Sequence, residues 1–452
     1  MKAWFPLVVS LGLISAGCGR YDPPNDGVPK GCVEEADFDV PLQQALGISS
    51  HVEWGCDPTA TAYREFETAT WEHLKAGTIR RDLTWAQIER NPGTFDFSGA
   101  DRAISAMAEV GAEPLAILNY GNSWAREDGV SNAPPDDLSD FETYATATAE
   151  HYRGQIRDYE IWNEPNVGVA FWDPQEDPVA YGDLLVGASG AVRSADPDAR
   201  VIFGGVFHQD VPLFATGGVE FIAAVHDHVG DLSEHVDAIS FHPYRYPFTA
   251  PDYTDEFQPS QIDDTCEMIA LRDEVSPGTP LWVGELGWHT ADRAFIAGVT
   301  PEEQADYLVR SALLAFAHGM QRYMVYTFRD SGTDAVDQEQ MFGLYDYDPD
   351  PTDGDDASSK PAGEAYRTLA GALGKHRHIR DVSKELGLGA ESYAYELSGG
   401  KGTVYALWTT AEADEVLIPG KGKAKVGGKE MRAEKGAFSV GITPSPVFVY
   451  ID

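Results

Sequence analysis

Eight short apolar runs, each followed by a polar or amphipathic segment, constrain the fold of this chain more than any other feature. Between residues 39 and 372 they alternate in the pattern of repeated strand–helix units, which build parallel sheets. Eight such units predict an α/β fold, a closed (β/α)₈ TIM barrel. The runs are Leu46–Ile48, Thr78–Arg80, Pro114–Leu118, Arg157–Trp162, Val201–Phe203, Ala238–Phe241, Leu281–Val283 and Tyr323–Tyr326.

One of the intervening helices has a clear start signal. Thr300 can cap a helix, Pro301 suits its first turn, and Glu303 can close a capping box. The sequence therefore predicts a helix that runs on through residues 305–318.

The pattern changes after residue 372. Residues 373–452 contain short alternating strands separated by glycine-rich turns, with no segment of helical length and period. They predict a small C-terminal all-β domain, similar to a β-sandwich. A unit of this size builds a limited core of its own, so we expect it to dock on the barrel in a structural role, with carbohydrate binding as the alternative.

The first residues have the pattern of an export signal. An apolar run follows Lys2 and ends in small residues before Cys18, so residues 1–17 are interpreted as a signal peptide. The cleavage region resembles the lipobox of bacterial lipoproteins, although Ser15 stands where leucine is usual, and this resemblance implies lipidation at Cys18. We expect an exported protein, held in a bacterial cell envelope by the lipid or otherwise secreted, with residues 18–38 as a flexible tether.

Export gives the cysteines a structural meaning. The chain has four of them, and lipidation of Cys18 would leave Cys32, Cys56 and Cys266. At most one disulfide can then form within the chain, and its pairing is open. Their spacing does not suggest a zinc site.

The charge of the chain excludes one class of partner. Its 452 residues include 33 lysines and arginines against 73 aspartates and glutamates, a net charge of −40. Such a charge repels phosphate backbones and anionic lipids, so we expect no nucleic-acid partner and no membrane contact beyond the lipid anchor. We expect a monomer.

Two glutamates directly end or follow barrel strands. Glu164 follows the fourth apolar run and Glu285 follows the seventh. Buried carboxylates are costly unless they are paired or used, and two of them in one barrel mouth provide the acid and the nucleophile that glycoside hydrolysis needs. In the alternative reading, each glutamate only caps a helix or forms a salt bridge.

The residues around these glutamates favour the chemical reading. Five segments carry a shared pattern, in chain order: Ile79–Trp85 with Ile88–Phe97, Trp162–Asn166, Phe241–Tyr244, Trp282–Trp288, and Tyr326–Asp330 with Phe342–Leu344 and Lys360–Pro361. They resemble the clan A glycoside hydrolases. The late β-module makes family 39 and its relatives, which include β-xylosidases and exopolysaccharide endoglycosidases, the nearest resemblance, and family 5 the second.

The resemblance implies a role for each matched residue. Glu164 would be the general acid/base and Glu285 the nucleophile, while Asn163 would bind the sugar 2-hydroxyl. Arg80 and Tyr244 would contact the nucleophile. The residues alone agree that only one of two adjacent arginines can do so, because strand alternation sends Arg80 and its neighbour to opposite faces.

Further residues near strand ends are candidates for binding substrate. His242 shares a face with Tyr244, and flat aromatic rings near strand ends can stack on sugars, although such rings are as often part of a core. The candidates are His51, Asn119, Trp124, His242, Trp288, Tyr326 and Phe328.

Together these features predict a retaining glycoside hydrolase that cleaves a β-linked oligo- or polysaccharide through a glycosyl-enzyme, without cofactor or metal. Its two carboxyl groups should lie about 5–5.5 Å apart. The alternatives are a non-catalytic sugar-binding surface lipoprotein and a family 5 endoglucanase or mannanase. The aspartates of residues 346–356 lack the spacing of a calcium loop and predict a solvated loop. The sugar, its linkage and the choice between endo and exo action stay open.

Overall fold

A closed barrel of eight parallel strands forms the centre of the computed structural model, which describes residues 32, 35–50, 61–212, 214–244, 248–253, 259–349 and 358–451. The strands follow each other around the barrel in chain order, and the last pairs with the first. The predicted (β/α)₈ barrel is confirmed. Its strands are β2 Leu46–Ser49, β3 Thr78–Thr84, β4 Glu113–Asn119, β5 Asp158–Asn163, β6 Arg200–Phe207, β7 Ala238–His242, β8 Leu281–Leu286 and β9 Arg322–Val325.

Helices surround the barrel, and the described ones are α1 Leu42–Ala45, α2 Thr61–Leu74, α3 Trp85–Ile88, α4 Ser98–Val110, α5 Leu138–His151, α6 Pro178–Ala195, α7 Gly218–Val229, α8 Gln261–Val275, α9 Pro301–Ala317 and α10 Pro361–Leu373. Helix α9 begins as predicted, with Thr300 and Glu303 forming a capping box and Pro301 in the first turn. Among the described residues, no helix combines the length and apolar character that a bilayer crossing requires.

Antiparallel strands form the C-terminal domain and confirm its predicted all-β character. They are β10 His378–Asp381, β11 Ser392–Ser398, β12 Thr403–Thr409, β13 Asp414–Pro419, β14 Lys423–Val426, β15 Lys429–Arg432, β16 Ala437–Ile442 and β17 Val447–Ile451. Strands β13 and β16 pair as a two-stranded sheet, and the others join a seven-stranded one. Buried residues from both sheets, among them Leu407 and Phe438, share one apolar cluster.

The predicted tether is wrong in its last residues. Strand β1, Glu35–Asp37, pairs antiparallel with β10 at the edge of the seven-stranded sheet. Cys32 forms a disulfide with Cys266 of α8, a pairing that the sequence left open. A strand of three residues is too short to show a period, so its partner in the C-terminal domain was the missing information. Cys18 and Cys56 lie outside the described residues.

A buried polar cluster joins the C-terminal domain to the barrel. Arg310 of α9 lies 3.3 Å from Asp252, and their side chains are 4% and 0% exposed. The Trp408 indole of β12 donates to the same carboxylate at 2.8 Å. Arg310 also donates to the carbonyl of Pro444 at 2.9 Å. Both domains therefore share one buried ion pair, which we call the interdomain clasp (Asp252, Arg310, Trp408).

Removing the cation of the interdomain clasp should destabilise the protein strongly. Arg310→Met leaves Asp252 buried without its ion-pair partner, a change that typically costs about 3–5 kcal/mol. Calorimetric unfolding should show this loss. The control is Arg293→Met, because the Arg293 side chain is 71% exposed, and it should stay within about 0.5 kcal/mol of the parent. Equal stability of the two variants would contradict the role given to the clasp.

Candidate active site

Two glutamates face each other at the carboxyl ends of the barrel strands. Glu164 directly follows β5, and Glu285 is the second-last residue of β8; they are 8% and 6% exposed. One carboxylate oxygen of each, together with a ring nitrogen of His242, lie within 4.8 Å of one another. The nearest oxygens of the two carboxylates are therefore no more than 4.8 Å apart.

A single buried arginine holds one of the two carboxylates. The Arg80 guanidinium donates to both oxygens of Glu160, at 2.8 and 2.7 Å, and to Asn163 Oδ1 at 2.8 Å. Its Nη1 donates to Glu285 Oε1. Arg81 turns to the other face and pairs with Glu67 at 2.9 Å. Arg80 thus orients the glutamate on β8 and the amide on β5 at once.

The orientation of Asn163 is fixed from both ends. Its carbonyl oxygen accepts from Arg80, so its amide nitrogen points away and donates to the Tyr120 hydroxyl at 3.2 Å. Tyr120 and Glu160 were not among the predicted site residues. Glu160 could have been noticed as a charged residue inside the apolar fourth run, whereas Tyr120 has no distinctive signal beyond its position after β4.

The backbone at the end of β5 is strained. Trp162 and Glu164 have φ values of 71° and 47°, in the left-handed region that costs a non-glycine residue about 1–3 kcal/mol. The Glu164 amide donates to the carbonyl of Gly205 at 2.9 Å, which helps to hold this conformation. Because of this conformation, the consecutive side chains of Asn163 and Glu164 both lie at the carboxyl ends of the barrel strands, a region called the barrel mouth below.

His242 occupies a space that two glycines leave open. Its Nδ1 lies 2.8 Å from Glu164 Oε1, and the residue is fully buried. A Cβ atom on Gly205 would approach His242 Nε2 to 2.1 Å, and one on Gly284 would approach it to 3.0 Å. Glycines on β6 and β8 are therefore needed for the ring to stand beside Glu164.

Two tyrosines lie on the Glu285 side of the mouth. The Tyr244 hydroxyl donates to Glu285 Oε2 at 3.1 Å. The half-buried Tyr326 ring lies 6.2 Å from the Tyr244 ring, between centroids. Burial raises the pKa of Tyr326, and the charges of Glu339, Glu285 and Glu164 raise it further. The hydroxyl of Tyr326 therefore keeps its proton and can donate it in hydrogen bonds.

The two glutamates are electrostatically different. Burial raises the pKa of Glu164 well above its ordinary value, and the charge of Glu285 raises it further, while Arg80 opposes both. Glu285 is in direct contact with Arg80, whereas Glu164 contacts a histidine. Glu164 is thus suited to carry a proton, and Glu285 is suited to carry the negative charge.

Other predicted binding residues make their described contacts with groups other than the two glutamates. Buried Asn119 donates to Asp82, half-buried Trp124 donates to the carbonyl of Glu89, and buried Trp288 donates to the carbonyl of Thr249. Phe328 is 3% exposed and packs against Trp71, so its ring faces are covered by core residues. His51 lies outside the described residues.

Among the described residues, one group has the donor atoms for a metal ion. It consists of Glu164, His242 and Glu285, the same side chains that form the mouth. Of the aspartate-rich segment, residues 350–356 lie outside the described residues.

Comparisons with solved structures show that the fold of this chain is a known one. No protein-family model matches the chain, and no curated protein matches it. A family 39 glycoside hydrolase of Bacteroides cellulosilyticus superposes with a TM-score of 0.71 at 22% identity, over 92% of this chain and 82% of that one. The fold of the chain is similar to that of this family 39 glycoside hydrolase.

Other solved structures agree with this fold. A family 39 β-xylosidase of Caulobacter crescentus has a TM-score of 0.62 at 16% identity. The match covers 94% of this chain and 98% of the β-xylosidase. A family 51 α-L-arabinofuranosidase of Bifidobacterium longum has a TM-score of 0.62 at 11% identity, with 94% and 100% covered. At such identities the likeness concerns the fold, so the function has to be argued from the site.

Neutralising Glu285 should lower the pKa of Glu164. In Glu285→Gln the nearby like charge is gone, so the ionised form of Glu164 is less disfavoured and its titration moves to lower pH. Carbon NMR of labelled glutamate carboxyls across a pH series measures this shift. The control is Glu113→Gln. Glu113 is half-buried and is the first residue of β4, at the end of the barrel away from Glu164, so this change should leave the pKa of Glu164 unchanged. A rise in the pKa of Glu164 would contradict the electrostatic coupling.

Proposed function

We propose that the protein is a retaining glycoside hydrolase that cleaves β-linked oligo- or polysaccharides without a cofactor. The observation that carries this proposal is the short separation of Glu164 and Glu285, with the proton-bearing environment on one and the arginine contact on the other. This arrangement fits a double displacement, in which the second carboxylate bonds to the sugar.

In the first step Glu285 attacks the anomeric carbon. The glycosidic C–O bond breaks, and Glu164 gives its proton to the departing oxygen. Tyr244 and Arg80 hold the attacking carboxylate, one at each oxygen. Asn163, whose amide nitrogen points toward Tyr120, lies beside the acid and can bind a sugar hydroxyl without adding charge.

In the second step the roles reverse. Glu164, now ionised, takes a proton from a water molecule. As that proton leaves, the water oxygen attacks the anomeric carbon. The bond to Glu285 breaks and the sugar leaves with its original configuration. His242, beside Glu164, holds the acid/base in position through both steps. A sugar-binding protein without turnover would need neither the acid nor the held nucleophile.

The two glutamates should give opposite results with azide. Glu285→Ala should lose nearly all turnover, and azide entering the vacated face should give the inverted glycosyl azide. Glu164→Ala, tested on a dinitrophenyl glycoside, should accumulate glycosyl-enzyme as a burst, and azide should then give the retained product. Rapid-quench kinetics and NMR of the products distinguish the two.

The matched control for these variants is Glu113→Ala, at the far end of the barrel, which should keep activity. The same azide stereochemistry from both variants would overturn the assigned roles. Binding of a polysaccharide panel by the parent protein without release of reducing sugar would overturn the hydrolase itself.

We propose further that the protein is exported and attached to a membrane by lipid on Cys18, as its sequence suggests. Cys18→Ser should move the protein from the membrane fraction to the soluble fraction and leave its specific activity unchanged, because the residue lies far along the chain from both glutamates. Cell fractionation with an immunoblot measures this. Unchanged membrane fractionation would remove the lipid anchor from the proposal.

A further inference from the structure

We propose that the barrel mouth also binds a divalent transition-metal ion of the zinc or copper class, held by Glu164, His242 and Glu285. A bound ion occupies both carboxylates, so it acts as a reversible inhibitor and is not needed for catalysis. The inference rests on the hydrolase function above and adds a means of regulating that same site.

The three donor atoms have the spacing of ligands to one ion. His242 Nδ1 lies 2.8 Å from Glu164 Oε1 and 4.0 Å from Glu285 Oε2, and all three atoms lie within 4.8 Å of one another. Two ligands of one zinc ion, each ~2.1 Å from it, are at most ~4.2 Å apart. Both distances from His242 already meet this limit. The last torsion of a glutamate side chain is broad, so it can adjust the separation of the two carboxylates.

The charges around these atoms favour a cation. Arg80 contacts Glu160 as well as Glu285, so its single positive charge is divided between two buried carboxylates. The ionised carboxylates of Glu164 and Glu285 repel each other strongly at this range, because the site is buried. A divalent cation between them replaces this repulsion with attraction to both.

The ligands are held in place before an ion arrives. Two glycines leave the space in which the His242 ring stands, and Arg80 fixes the first oxygen of Glu285. The second oxygen of Glu285 accepts from Tyr244 at 3.1 Å. A carboxylate oxygen has two acceptor positions, so it can bind a metal ion beside this hydrogen bond. Binding therefore requires little ordering of the protein, which favours affinity.

The set of donors selects among metal ions. One imidazole nitrogen and two carboxylate oxygens suit zinc, nickel and copper, whereas calcium and magnesium prefer oxygen ligands alone. Three protein ligands and a water complete the four-coordinate geometry of zinc. Glu164 and Glu285 are 8% and 6% exposed, so an ion and its water can reach them from solvent.

The bound ion should compete with the substrate. At Glu164 it takes the place of the proton that the leaving oxygen needs, and at Glu285 it binds the electron pair that attacks the anomeric carbon. With an aryl glycoside that the parent protein cleaves, zinc chloride should therefore raise KM and leave kcat unchanged. EDTA should restore the original KM, and magnesium chloride should have no effect.

Metal binding can be measured without turnover. Calorimetry of the full chain with zinc chloride should show a tight site at the barrel mouth, and copper should bind there more tightly than zinc. With one equivalent of copper chloride, electron paramagnetic resonance should show hyperfine coupling from one imidazole nitrogen, which is that of His242.

Two variants assign the site to its ligands. His242→Gln and Glu285→Gln should each weaken zinc binding by at least about 100-fold, because even the partners of metal ligands contribute about 10–100-fold to affinity. Should His242→Gln fail to fold, Glu285→Gln decides the matter. The matched control is His228→Gln, since His228 also lies 2.8 Å from a carboxylate oxygen, that of Asp183, and its side chain is 33% exposed. This control should keep both the zinc affinity and the inhibition of the parent.

The outcomes separate the metal site from the hydrolase. Unchanged zinc affinity in both ligand variants, equal affinity for magnesium and zinc, or inhibition that leaves KM unchanged would overturn the metal site while the hydrolase stands. Zinc binding that both ligand variants lose, in a parent protein that cleaves no glycoside or polysaccharide, would instead overturn the hydrolase and support the metal ligands.

Discussion

The rest of the barrel mouth depends on the buried ion pairs of the Arg80 guanidinium with Glu160 and Glu285. Burial lowers the pKa of this group, but the charges of Glu160 and Glu285 outweigh burial and hold the arginine charged. Without it, two buried carboxylates would lose their counter-charge, which is strongly unfavourable in a low-dielectric interior. The arginine is thus a structural support and an orienting group at the same time.

Each part of the site comes from a different strand, and the barrel brings them together. Glu164 follows β5, Glu285 is on β8, Arg80 is on β3, and His242 is on β7. Small residues make this crowding possible, since Gly205 and Gly284 leave the space in which the His242 ring stands. The left-handed backbone at Glu164 also brings side chains together. A regular strand would send Asn163 and Glu164 to opposite faces.

The sequence was sufficient for the barrel, because strand and helix periods are local properties that its eight units repeat. It also located Glu164 and Glu285, since a charged residue at the end of an apolar run is visible without a structure. It could not show that Glu160 contacts Arg80, because the two are 80 positions apart and meet only across the barrel. Aromatic residues were the hardest to assign: Phe328 and Tyr326 are two residues apart, and only the structure separates the ring in the core from the ring near the mouth.

Strand β1 has a consequence for how the two domains are connected. It belongs to the C-terminal sheet but precedes the barrel in the chain, so the barrel is topologically an insertion between the first strand of that sheet and the next. The two connections lie side by side: the amide of Phe38 donates to the carbonyl of Arg377 at 3.0 Å. The chain therefore leaves the sheet for the barrel and returns to it at nearly one point. The barrel could be exchanged as a single unit, or its two ends could be joined to each other. Neither change would require the chain to be threaded through either domain.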